Sequence, residues 1–409
     1  MSPERVIVVG AGIVGLAAAF ELRRRGVRVA VIDPEPGSGA THAAAGMLAP
    51  VSEVQYGQEA LLPLMVAAAG EYGPFLTDVA AATDLPTGYR REPTLVVAVD
   101  PADARTLADL TDHQVEAGLT LNRLTTREAR RLEPGLSPRL SAAVEIAGDH
   151  QVDPRQLALA LIDALTQNQP LGMPGGHDAG PAQFVPHEAT GLLTRDGRVA
   201  GVRLDTGTQL EADAVVLANG TGAAHLEGLP DGLDLRLRPV HGDILRLAVP
   251  DHLLAPGEAH LLTRTVRGLV GGRPVYLVPR EDRTLVLGAT SREDGVAGVR
   301  VDGVHQLLHD ARALVPAIGE CEIREMTARA RPGTPDDLPY LGATGLPGLF
   351  VSTGHFRHGV LLAPLAARLL AELITHEQDP ARDHSLDHDH LAATDPLRHS
   401  GGPNEGQTR

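Results

Sequence analysis

Apolar and polar positions change period along this chain, and the changes mark its elements. Val6 to Val9 is an unbroken run of β-branched residues, which predicts a buried strand. An alanine-rich apolar stretch from Ile13 predicts a helix, and beyond Gly26 the run Val27 to Ile32 predicts a second strand. Helices are expected from about Glu59 to Thr83 and, more polar, from Ala102 to Ala117, with a short strand at Thr94 to Val99. Asp153-Pro154 begins another helix, in which Leu157, Leu161 and Leu165 recur at helical spacing. Two strands joined at Asp196-Gly197 read as a hairpin, and Asp213 to Gly220 reads as a buried strand ending on a glycine turn. Residues 235–326 are β-rich, with strands near Asp243 to Val249, Val275 to Val278 and Thr284 to Leu287. Leu349 to Leu373 predicts a strand, a Gly-His turn and an apolar helix. The Gly- and Pro-rich stretch Leu171 to Pro181 is expected as an exposed excursion, and polar Asp395 to Arg409 as a disordered tail.

The elements interleave. They predict an α/β fold with a Rossmann-like domain assembled from three segments, 1–85, 148–232 and 328–378. A β-rich domain with an antiparallel sheet, residues 86–147 and 233–327, is inserted between them. A chain of 409 residues exceeds the usual limit of one core, which agrees with two domains. Aromatic residues make up only 2% and tryptophan is absent, so packing rests on Leu, Val, Ile and Ala. The formal charge of −16 argues against nucleic acid and anionic membranes as partners, because both select basic surfaces. No apolar run approaches the roughly 18 to 20 residues of a membrane span. Cys321 is the only cysteine; no intrachain disulfide is possible, which fits a reducing cytoplasm. It sits in the strand-like run GECEIREM with no activating partner in sequence, so a reactive thiol is not expected.

The first strand leads straight into Gly10-x-Gly12-x-x-Gly15. In that context the first glycine allows the turn, the second lets the backbone approach a pyrophosphate, and the third lets helix and strand pack closely. The free N–H groups and dipole of the helix N-terminus then face the phosphates. Asp33, 18 positions beyond Gly15, is placed to accept from ribose hydroxyls. The small-residue loop Gly37 to Gly46 allows main chain to lie against a flat ring. Arg331 lies between a β-rich segment and a Pro-Gly turn, where its guanidinium suits bidentate capture of a carboxylate.

Four ordered motifs, the glycine turn, GATHAAAGM (39–47), DAVVLANG (213–220) and ARPGTPDDLPYLG (330–342) before STGHFRHGVLLAP (352–364), resemble the D-amino-acid-oxidase-type flavoenzymes. Within that group the chain is most similar to the glycine oxidases of thiamine biosynthesis, over about residues 5–375. The resemblance implies non-covalent FAD held by Gly10, Gly12, Ile13, Val14, Gly15, Asp33, Pro34, Ala40, Thr41, Ala45, Gly46, Met47, Ala189 and Gly220. It adds the turn Gly354, His355, Phe356, Arg357, His358, Gly359, Val360 and Leu361, whose N–H groups would stabilise charge on the reduced ring. It makes Arg331 the carboxylate anchor, Tyr276 its hydroxyl partner, and Arg357 a cation on the flavin side of the substrate.

Departures from the pattern fall at Ser291 and Pro274, expected to line the substrate cavity, at His358, where relatives have an amide, and at Ala189, usually Val. His42 is one position away from the register at which some relatives attach flavin covalently, and Ala43 holds that register. His384, His388 and His390 are expected on a solvated face rather than at a metal. The implied activity is FAD-dependent oxidation of glycine or a small amine analogue to its imine, with O2 giving H2O2 and the imine serving thiazole synthesis. Sarcosine, D-amino-acid or imino-acid oxidation, or a dehydrogenase passing electrons elsewhere, remains open on the same fold. Homo-oligomerisation is expected by resemblance.

Overall fold

The computed structural model describes residues 3–168, 171, 179–254, 257–376, 384 and 387–400. Strand Arg5–Val9 buries all of its apolar side chains at the centre of a six-stranded sheet. Its neighbours are Ala214–Leu217 and Arg28–Ile32, flanked by Leu349–Thr353 and Gln183–Val185, all parallel; Tyr340–Ala343 closes one edge antiparallel. Parallel strands covered on both faces carry continuous apolar runs, which is why these segments showed no alternation. One face is covered by the helices Ile13–Arg24, Leu62–Ala80, Pro154–Thr166 and Gly359–Thr375. The other is covered by a three-stranded sheet, Ala189–Arg195, Arg198–Leu204 and Gln209–Glu211, whose Val199 and Val202 meet Ile7 and Val215. The expected hairpin turn is there: Asp196 and Gly197 both have positive φ, 52° and 73°, as a tight two-residue loop requires.

The second sheet has eight strands. In spatial order they are Glu322–Gly333, Arg238–Ala248, Thr284–Gly288, Arg273–Pro279, Thr265–Val270, Thr94–Ala98, Ala142–Ile146 and Asn122–Leu124. Pairing is antiparallel except between Thr265–Val270 and Thr94–Ala98. Helix Val301–Leu314 packs Leu307, Ala311 and Leu314 on its outer face, where Gly268 leaves room for Leu314. The inner face turns toward the glycine-rich end of the first sheet. Strand Glu322–Gly333 runs without a break across residue 328, where a domain boundary was expected.

Two expectations at the C-terminal end are corrected. Asp395 to Ser400 are not a disordered tail: Arg398 pairs with Asp336 at 2.8 Å and lies over the Tyr340 ring, and Tyr340 shares a 2.8 Å hydrogen bond with His399. The histidine run is not a solvated face either, because His390 is buried and His384 bonds Asp387 at 2.6 Å. Arg368 explains the second, since its guanidinium takes Asp387 through two 2.8 Å bonds and also meets Glu71 and Glu372, docking the Asp387–His390 segment on the long apolar helix. Only His388 of the three is exposed. Most of the excursion 171–181 and residues 401–409 lie outside the described residues. No helix among the described residues is long and apolar enough to cross a membrane.

Candidate active site

A cavity of about 650 Å³ runs from the Gly10–Gly12 turn to the inner face of the eight-stranded sheet. At the first end, Gly10 has φ +102°, and a Cβ there would lie 2.7 Å from the Ala218 backbone. A Cβ on Gly15 would overlap the Gly10 carbonyl oxygen, so the helix can sit this close to the strand only without a side chain. The helix N-terminus is steadied from outside: Ile13 N–H donates to Thr41 Oγ1 at 2.9 Å. Asp33 lines the cavity and accepts from Ala11 N–H (2.7 Å) and Glu35 N–H (2.8 Å), which fixes its carboxylate beside the turn. These features form a cradle for a phosphate-linked dinucleotide, bounded by the small residues Ala40, Ala43, Ala44 and Ala45.

At the other end, register places the candidate side chains in a row across the sheet. Ile244 pairs with Gly288, Gly288 with Tyr276, Tyr276 with Arg267, and Arg267 with Val96. Paired residues share a face, so Tyr276 and Arg267 project together into the cavity. Gly242 and Gly288 supply the space. A Cβ on Gly242 would lie 2.5 Å from Arg331 Cζ, and one on Gly288 would lie 2.5 Å from Tyr276 Cζ. The Arg331 guanidinium therefore rests over bare backbone, donating to Thr290 O at 3.3 Å.

The electrostatics centre on a carboxylate. Glu53, buried in the loop after strand Met47–Leu48, lies 2.6 Å from Arg267, 3.7 Å from Arg357 and 3.4 Å from His358 Nδ1. Burial pulls its carboxyl upward, but Arg267, Arg357 and His358 outweigh that and hold it down at about 2. Burial raises the Tyr276 phenol above its usual range, while neighbouring arginines oppose the shift. Burial lowers both His355 and His358 to about 4, so both are neutral at pH 7. The His358 ring has no hydrogen bond at either nitrogen among the described residues. Phe356 adopts φ +46°, unusual for an aromatic residue, and its N–H donates to Pro332 O at 3.0 Å.

Most of the residues nominated from the sequence line this one cavity: Gly10, Gly12, Ile13, Val14, Asp33, Ala40, Thr41, Ala45, Gly46, Met47, Gly220, Tyr276, Arg331, His355, Phe356, Arg357, Gly359 and Val360. Ser291 and Pro274 line it too. Gly15, Pro34, Ala189, Gly354, His358 and Leu361 do not. Gly15 lies in helix Ile13–Arg24 against the Gly10 backbone and Gly354 in the turn after strand Leu349–Thr353, His358 stands behind Glu53, Pro34 is exposed, and Ala189 and Leu361 are buried in the packing on either face of the six-stranded sheet. His42 faces away, meeting Glu325 at 3.2 Å beside Arg155. Cys321 is also remote, its thiol pushed up to about 11 by burial and Glu320. Sequence reasoning missed Glu53 and Arg267. Neither sits in a motif, but glycines inside strands at 242 and 288 signal a close approach to the backbone.

A glycine cradle, a small-residue wall and a cationic far end define a flavin-dependent redox protein. A family model described as FAD dependent oxidoreductase, of D-amino-acid-oxidase type, matches residues 5–373, and the chain belongs to that family. FAD is its cofactor, and the cradle fits it. Within the family the chain is 34% identical over 379 residues to the glycine oxidase of Geobacillus kaustophilus, covering 91% of this chain and 93% of that protein. A crystal structure of glycine oxidase from G. kaustophilus matches with a TM-score of 0.80, over 97% of this chain and 100% of that one. A putative thiamine biosynthesis oxidoreductase ThiO from Rhizobium etli is 32% identical over 384 residues, 92% of this chain and 99% of its own. The bifunctional protein ThiO/ThiG of Nostoc sp. is 31% identical over 421 residues and covers 99% of this chain, which spans only 58% of that protein.

Proposed function

We propose that the protein oxidises glycine, or a small amine close to it, to the imine, with O2 as electron acceptor and H2O2 as product. The imine then feeds thiazole assembly in thiamine synthesis. Segments 1–85, 148–232 and 328–378 chiefly hold the cofactor, and 86–147 with 233–327 carry most of the substrate wall, to which the end of strand Glu322–Gly333 adds Arg331. The observation that carries the reading is the Arg331–Tyr276 pair, set over Gly242 and Gly288 at the end of the cavity opposite the glycine cradle. A guanidinium fork and a phenol hydroxyl match one carboxylate, and they fix the amino acid by the end that does not react.

When bound, FAD supplies the hydride acceptor and, on reoxidation, the route to peroxide. The protein's part is orientation and electrostatics. Glu53, held ionised and paired with Arg267, is a poor proton acceptor at neutral pH. The amine is therefore taken up already deprotonated, and its Cα–H is positioned by the carboxylate anchor. Arg357 and the N-terminus of helix Gly359–Thr375 present positive potential on the cofactor side.

Ser291 and Pro274 in the wall favour a second reading, a somewhat larger amine such as sarcosine or a D-amino acid. The test is a visible spectrum followed by anaerobic addition of glycine, sarcosine and D-alanine separately, then peroxide yield under air. Bleaching by glycine at the lowest concentration supports the first reading, and bleaching by another amine moves the substrate. A flavin that stays oxidised with all three removes the amine-oxidase assignment. Flavin bleached without peroxide in air makes the protein a dehydrogenase.

A further inference from the structure

The cradle end of the cavity is short of positive charge. A pyrophosphate is negative on both of its phosphates, and the wall it meets there already holds the Asp33 carboxylate. Helix Ile13–Arg24 turns its N-terminus to this end with no acidic residue in its first turn, but a helix dipole amounts to only about half a charge. Arg267 and Arg357 are gathered around Glu53 at the far end, and Arg331 rests over Gly242 beside Tyr276. Among the described residues, Arg329 is the other cation in the cavity wall.

Arg329 comes from the eight-stranded sheet, not from the sheet that builds the cradle. It lies on strand Glu322–Gly333 two residues before Arg331, and the pairing runs evenly from Val240 opposite Arg331 to Gly242 opposite Arg329. Residues two apart on a strand share a face, so one strand presents both guanidinium groups to the cavity. They then part. Arg331 donates to Thr290 O, whereas Arg329 Nε donates to Ser38 O at 3.0 Å. Ser38 follows Gly37, whose N–H donates to Ala11 O at 3.0 Å, inside the Gly10–Gly12 turn. Arg329 is thereby tied to the segment that touches the glycine turn. Its Nη1 donates to Ala328 O, while its Nη2 has no acceptor and its side chain no ion pair among the described residues.

We propose that Arg329 is a ligand of the FAD pyrophosphate, supplied to the cradle by the eight-stranded sheet. Strand Glu322–Gly333 then serves both ends of the cavity, the cofactor phosphates through Arg329 and, on the reading above, the substrate carboxylate through Arg331. The inference rests on FAD as the cofactor, and its readouts are binding constants that need no amine.

FAD affinity is measured by flavin fluorescence, on release from holoprotein and on reloading, for the wild type, Arg329→Gln and Arg329→Lys. Arg329 is exposed, so Arg329→Gln saturated with FAD is expected to melt within a few degrees of the wild type. Loss of a charge-assisted phosphate contact should raise the FAD Kd about ten-fold or more in Arg329→Gln. Arg329→Lys should stay within about threefold of the wild type, since an ammonium still meets a phosphate as a point charge. Lysine has no Nε to give Ser38 O, so this rescue separates a phosphate ligand from a brace for the loop. Wild-type affinity should also fall more steeply with salt than that of Arg329→Gln. ADP and adenosine, as competitors of reloading, complete the test: Arg329→Gln should weaken ADP about ten-fold and leave adenosine unchanged. An unchanged FAD Kd in Arg329→Gln overturns the proposal. So does an equal loss of ADP and adenosine, or a lysine variant as weak as the glutamine one.

Discussion

One added methyl group at Gly242 tests the carboxylate anchor without removing a polar atom. An alanine Cβ there would lie 2.5 Å from Arg331 Cζ and inside contact distance of both terminal nitrogens. Non-bonded carbon atoms settle at roughly 3.5–4.0 Å, so the guanidinium must retreat by about 1 Å. Gly242 is in the middle of strand Arg238–Ala248 without a positive φ, and the clashing atoms are the far end of a flexible side chain. The stability cost should therefore fall at the low end of overpacking, about 1 kcal/mol. The anchor loses more. Hydrogen bonds to a charged partner contribute roughly 1.5–3 kcal/mol each, and misplacing a bidentate pair forfeits one or both. At about 1.4 kcal/mol per factor of ten, kcat/KM should fall roughly 10- to 10,000-fold, chiefly through KM. Stopped-flow flavin reduction against amine concentration, acetate titration, flavin content and a thermal melt together make the assay. The expected variant holds flavin, melts within a few degrees of wild type and binds acetate weakly. A folded, flavin-loaded variant with KM and acetate affinity within threefold of wild type refutes the reasoning. Gly288→Ala is the companion, because its Cβ would meet Tyr276 Cζ at 2.5 Å and Ile244 Cδ1 at 2.6 Å. It displaces a single hydroxyl bonded to a charged carboxylate, worth roughly 1.5–3 kcal/mol, so a loss of roughly 10- to 100-fold is expected.

Gly15→Ala should abolish flavin retention, read as the absorbance ratio of purified protein, since the clash is with Gly10 main chain and nothing flexible can yield. Glu53→Gln should lower stability at pH 7, and the sign of its pH dependence follows from the depressed carboxyl of Glu53. Its contribution is full above the unfolded value of about 4.5 and is lost as pH falls toward about 2, so wild-type and variant melts should converge on acidification. A gap that stays constant from pH 7 to pH 3 would contradict this. Arg368→Met should destabilise by roughly 3–5 kcal/mol in urea unfolding, because it takes the bidentate arginine from buried Asp387 and leaves Glu372 with Arg25 as its one remaining arginine among the described residues. Denaturing the wild type should release all flavin into the filtrate, and His42→Ala should not change the amount bound, since His42 pairs with Glu325 outside the cavity.

The cofactor half was readable because its determinants are local. Gly10, Gly12 and Gly15 sit within six residues, and the turn, the helix start and the strand that follows are decided by main-chain sterics over that short span. The Asp196-Gly197 hairpin was readable for the same reason. The C-terminal end was misread because its order comes from distant partners. Arg398 is held by Asp336 and Tyr340, and Asp387 by Arg368, and no composition rule records a partner 62 or 19 residues away.

The sequence by itself determined that a dinucleotide cradle opens the chain and that two kinds of sheet alternate along it, both from spacing alone, while the family resemblance nominated Arg331 and Tyr276 as a carboxylate pair. Only the tertiary structure decided what surrounds them. Glu53 and Arg267 are 214 residues apart and meet at 2.6 Å because strand Thr265–Val270 lies beside Tyr276 while the loop after Leu48 crosses over it. Charge balance at a buried site is set by whichever groups the fold brings within a few ångströms, and the pairing of distant strands, not the order of residues, chooses them.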